Sequence, residues 1–137
     1  MATTSQQRQF SLGIGALATI YPHTRIAEWA LKERTLGNKI LDDAVALKLV
    51  LSKAIEQQWN RIKILFHNKE LLRQLKLRSP SKSRIATLID DAADLQKMFR
   101  ICSFELVSED KMTNCKKLSS YALGILLDEE WYFSQCN

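Results

Sequence analysis

The chain has 137 residues, the length of one domain, and can bury a core without disulfides or a structural metal. Its 4 Gly and 2 Pro are too few for a turn-rich sheet protein, while abundant Leu, Ala, Lys, Glu and Gln favour helices. Lys and Arg total 20 against 15 Asp and Glu, a net charge of +5; the 3 Cys are an odd number without metal-ligand spacing, which argues against a disulfide framework and for an intracellular protein, cytoplasmic or nuclear.

In chain order, residues 1–9, MATTSQQRQ, are polar and aperiodic and read as a mobile N-terminal arm. Phe10 to Tyr21 reads as a short apolar helix with Ser11 as its N-cap and Pro22 as its stop. It falls short of the roughly 20 apolar residues that span a bilayer. Within it Gly13-Ile14-Gly15-Ala16-Leu17-Ala18 matches a dinucleotide-binding fingerprint, with Glu33 further on. That motif needs a preceding buried strand, so the small residues are assigned to close helix packing instead. Thr24 to Leu36 places Ile26, Trp29, Ala30 and Glu33 at helical spacing, ending at Gly37 as a left-handed cap.

Asn38 to Arg78 contains neither Pro nor Gly, and Leu41, Ala44, Leu51, Ile55, Ile62, Leu65 and Leu72 recur at the three-and-four spacing of one helix face. Ile40, Leu47, Val50, Ala54 and Trp59 widen the stripe, so several neighbours must cover it. Such a helix would span roughly 60 Å, against about 37 Å for a compact domain of this length. A break at His67-Asn68 resolves the conflict, since Asn68 can cap a new helix starting at Lys69. Ser79 to Ser83 is a loop whose serines offer N-caps; Arg84 to Val107 and a segment from about Asp110 onward complete the helices. The expected fold is therefore all-α: residues 10–137 as a single helical domain, a bundle of five or six helices around a long central one, about 38–67, continued or broken to 78.

The chemistry-bearing feature is a basic segment, Arg61, Lys63, Lys69, Arg73, Lys76, Arg78, Lys82 and Arg84 against the single acid Glu70. Localised positive charge attracts phosphate backbones or an acidic partner. With Phe66 as its only aromatic, backbone contacts to a duplex suit it better than base stacking. Ser79, Ser81 and Ser83 lie in its loop, where phosphorylation would cancel much of the charge. Asp90, Asp91 and Asp94 read as a solvated or ion-paired helix face, Trp29, Trp59 and Trp131 as core anchors, and no nucleophile stands with a base. No catalytic, cofactor or metal site is expected. The sequence thus reads as a non-enzymatic intracellular interaction protein acting through self-association and a protein partner, with nucleic-acid binding through 61–84 as the alternative and no membrane partner.

Overall fold

The strands Ser11–Ile20 (β2) and Thr24–Arg34 (β3) are buried on both faces, and they dictate a layered structure. The computed structural model describes residues 1–20, 24–77 and 83–133. Around β2 and β3 are strands Ala2–Arg8 (β1), Arg61–Phe66 (β4), Ile101–Leu106 (β5) and Glu129–Tyr132 (β6), with helices Lys39–Glu56 (α1), Lys69–Leu77 (α2), Arg84–Gln96 (α3) and Thr113–Leu123 (α4), the last preceded by a short 3-10 turn, Glu109–Met112. One six-stranded sheet runs in the order β5-β4-β1-β2-β3-β6. β1, β2 and β3 form an antiparallel meander, whereas β4 pairs in parallel with both β1 and β5. β1, β3, β4 and β5 therefore share one direction, and α1, α2 and α4 all begin at the edge where those strands end.

One face carries Leu12, Ile14, Ala16 and Ala18 of β2 beside Ala27, Trp29 and Leu31 of β3, packed in one core with Leu47, Val50, Leu51 and Ala54 of α1. Each such Leu, Ile or Val contributes about 1.5–3 kcal/mol by leaving water. Trp29 anchors this face, its ring stacked 5.8 Å from Trp59 and its indole N–H donated to the Tyr132 hydroxyl at 3.0 Å. The other face of β1, β2 and β3 is covered by α4. Gly13 and Gly15 make that seat: a Cβ there would lie 2.1 Å from the Ser119 carbonyl oxygen and 2.2 Å from that of Cys115. Lys32, next to Gly13 in the ladder, donates to the carbonyls of Leu123 and Ile125 and caps the C-terminal end of α4.

This architecture corrects the all-α bundle. In place of the expected helix, the described residues 38–77 hold α1, β4 and α2, and the expected break at His67-Asn68 falls between β4 and α2. β2 and β3, where two helices were expected, pair antiparallel, and 84–107 divide into α3 and β5. The expected arm is strand β1, paired to β2 along its length and to β4 at its start. The reason is burial on both faces: a central strand shows a continuous apolar run, which periodicity alone does not separate from a helix. Among the described residues no helix is long and apolar enough to cross a membrane.

Candidate functional site

In open α/β sheets, ligand sites form outside the carboxyl ends of the strands, where neighbouring connections leave in opposite directions. Here that point lies between β1, whose chain turns to β2, and β4, whose chain continues through α2 and α3 to β5. Three elements bring polar side chains to it. β1 supplies Thr3 and Ser5, the start of α1 supplies Lys39 and Asp43, and the β4–α2 junction supplies His67 and Asn68.

Asp43 is the hub. Its Oδ1 accepts the Ser5 hydroxyl and lies 3.2 Å from the Lys39 ammonium, while its Oδ2 accepts Asn68 Nδ2 at 2.7 Å. Asn68 Oδ1 accepts the Leu71 amide at 3.0 Å, capping α2, and this fixes which end of the amide faces Asp43. Lys39 also donates to the Ser5 carbonyl at 2.7 Å. The cluster ties β1, α1 and α2 together around a buried carboxylate. Beside it Thr3 Oγ1 is buried with no hydrogen-bond partner among the described residues, and a cavity of about 10 Å³ is lined by Thr3, Thr4, Asp43, Ala46, His67 and Asn68 among others. Neighbouring Asp42 has a structural task, accepting the Thr35 hydroxyl at 2.6 Å and the Leu36 amide at 2.8 Å, which fixes the turn into α1.

The basic segment does not form one patch. Arg61 and Lys63 lie on β4 beside a groove near the opposite end of the strand, with Met1, Ile20, Ile26 and Trp59 among its lining residues. Lys69, Arg73 and Lys76 are exposed on α2, beyond the carboxyl end of β4. Arg73 is held by Glu70, and its guanidinium lowers that carboxyl to about 2. Lys63 faces Glu105 at 3.7 Å. Arg84 is exposed at the start of α3, where Ser83 is the N-cap and accepts the Ala86 amide at 3.2 Å. Arg78, Lys82, Ser79 and Ser81 lie outside the described residues.

Asp91 pairs with Lys48 and Asp94 with Lys97. Burial pushes the Cys102 thiol up to about 11 and that of Cys115 up to about 12, so neither is a thiolate nucleophile near neutral pH. Sequence reasoning singled out Asn68 as a cap and passed over Ser5, Lys39 and Asp43. The available signal was a pair of adjacent aspartates, Asp42 and Asp43, at the start of the most apolar helix.

The family model described as reverse transcriptase-like matches residues 26–122, more than half of the 137-residue chain, and the chain belongs to that family. No curated protein matches it by sequence. Among solved structures it is similar to RNase H1 of the halophilic archaeon Halobacterium salinarum, at 16% identity over 89% of this chain and 94% of that one, with a TM-score of 0.80. The N-terminal RNase H domain of Rv2228c from Mycobacterium tuberculosis shares 21% identity over 88% and 89% of the two chains, TM-score 0.75. LC11-RNase H1 in complex with an RNA/DNA hybrid shares 14% over 90% and 97%, TM-score 0.74. These findings overturn the expectation of a non-enzymatic helical interaction protein. The scaffold is one on which ribonuclease H enzymes are built.

Proposed function

We propose that this member of the reverse transcriptase-like family is a nucleic-acid-processing domain of the ribonuclease H type that engages an RNA/DNA hybrid duplex at the edge where β1 and β4 end. The observation that carries this reading is the fold itself, shared over 90% of the chain with an RNase H1 solved on such a hybrid. The charge distribution supports it. Lys39 at the start of α1 and Lys69, Arg73 and Lys76 on α2 stand at this edge, where a phosphate backbone would find cations and the amino end of a helix. Arg61, Lys63, Arg78, Lys82 and Arg84 add to the net positive charge that would attract the duplex at long range. Phosphorylation at Ser79, Ser81 or Ser83 would weaken that field.

The test is fluorescence anisotropy of a labelled hybrid, with DNA and RNA duplexes of the same sequence for comparison. If about six phosphates are engaged, affinity falls roughly a thousandfold between about 50 and 200 mM salt. Lys69→Glu with Lys76→Glu weakens binding and flattens the salt slope by about one unit per lost contact. Lys97→Glu, one such charge reversal at the far end of α3, leaves both unchanged. Failure of the wild-type chain to bind the hybrid at the lower salt would refute the proposal.

A further inference from the structure

Nucleases of the two-metal type hold their ions between clustered carboxylates, which clamp the attacking and leaving oxygens of the phosphodiester. The fold family implies such a centre, and the residues at this edge do not fit it. β1 contributes ATTSQQR and α4 contributes TNCKKLSSYAL, neither with an acid. Asn68 offers an amide whose oxygen is committed to the Leu71 amide. Asp43 is then the one carboxylate of the cluster, and among the described residues no group of three or more His, Cys, Asp or Glu is placed to hold a metal ion. Both of its oxygens are already engaged, by Ser5 and Lys39 on one and Asn68 on the other. The adjoining cavity of about 10 Å³ accommodates a single water and not a hydrated ion pair.

We infer that the Lys39 ammonium is the built-in cation of this site: it neutralises Asp43 in place of a divalent metal, and the chain engages nucleic acid without a metal ion there. The inference rests on the proposed hybrid-binding reading for its second half only. Lys39 has the means for both tasks, since it lies against Asp43 Oδ1 and the Ser5 carbonyl yet keeps about half of its side chain in solvent, where a phosphate can reach it.

The experiment is titration of the folded 137-residue chain with Mn²⁺ by isothermal calorimetry, checked by the electron paramagnetic resonance of free Mn²⁺. The wild type is expected to show no saturable binding into the millimolar range. Ser5→Asp with Asn68→Asp, which surrounds Asp43 with two further carboxylates, gains a saturable isotherm, and adding Lys39→Ala tightens it because the competing ammonium is gone. Saturable binding by the wild type that Asp43→Asn removes would overturn the inference. So would an affinity in the double variant that ignores the loss of Lys39. Should the substituted chains fail to fold by circular dichroism, the wild-type titration decides alone. Hybrid anisotropy in EDTA and in Mg²⁺ at matched ionic strength separates the two readings. Equal binding in both supports the inference, and binding only with Mg²⁺ overturns it. No binding in either refutes the hybrid reading and leaves the metal titration to judge the built-in cation.

Discussion

Gly15→Ala tests the account of how α4 is seated on the sheet. The added Cβ would lie 2.2 Å from the Cys115 carbonyl oxygen, 2.5 Å from the Ser119 nitrogen and 2.8 Å from Leu118 Cβ, where ordinary contact begins at 3.4 Å. Two of these atoms are backbone, so no rotamer change relieves the overlap. α4 must lift by about 1 Å, which also loosens its packing over Gly13 and along the buried Cys115 and Ser119. Overpacking of this kind costs about 3 kcal/mol or more, and restricting the unfolded chain returns less than about 1 kcal/mol. A net loss of about 2–3 kcal/mol lowers the Tm by about 7–10 °C at this chain length. Differential scanning calorimetry measures it. Two controls separate space from conformation: Gly124→Ala meets only the Tyr121 oxygen at 3.6 Å and is tolerated, whereas Gly37→Ala meets nothing but sits at φ +80°. The latter costs about 1–2 kcal/mol from its left-handed backbone. A Gly15→Ala protein melting within about 2 °C of wild type would refute the seat.

Two further outcomes follow from buried polar groups. Tyr132→Phe removes the oxygen that accepts from Trp29 Nε1 at 3.0 Å and from Gln57 Nε2 at 3.2 Å. An unpaired indole N–H in a nearly buried side chain costs about 1–2 kcal/mol; urea unfolding followed by tryptophan fluorescence should show it, and an unchanged midpoint would contradict the bond. The Cys115 thiol, raised by burial from 9.0 to about 12, stays protonated in the folded chain while the unfolded chain ionises. Its contribution is therefore complete below pH 9.0 and is lost as the pH rises from there towards about 12. Cys115→Ala should flatten the decline of stability over that window, and an identical slope in both proteins would refute the assignment.

Local signals survived the change of fold class. A helix does begin beside Asn38, whose side chain accepts the Ile40 amide, and Gly37 before it does adopt a positive φ, although it closes a turn from a strand. Asn68 and Ser83 cap α2 and α3 from positions the sequence marks. Capping depends on a side chain reaching an amide two or three residues away, so it is written locally. The buried stripe Leu47, Val50, Leu51 and Ala54 of α1 is equally local, because a helix with solvent behind it keeps its period.

What failed is what neighbours decide. In β3 the run Ala27 to Leu31 is nearly all buried because sheet partners lie on both sides and layers of helix above and below, so its apolar residues have no polar face to alternate with. β1 misled in the opposite sense: Thr3, Thr4 and Ser5 look like a solvated tail, yet they are buried at the centre of the sheet. Ser5 is satisfied there by Asp43, 38 residues away. The same distance hid the site. Composition and spacing determined the charge, the caps and the main amphipathic helix; only the tertiary structure brought Ser5, Lys39, Asp43 and Asn68 together, because their partners are set by the pairing of β1 with β4, a contact between residues more than 60 positions apart.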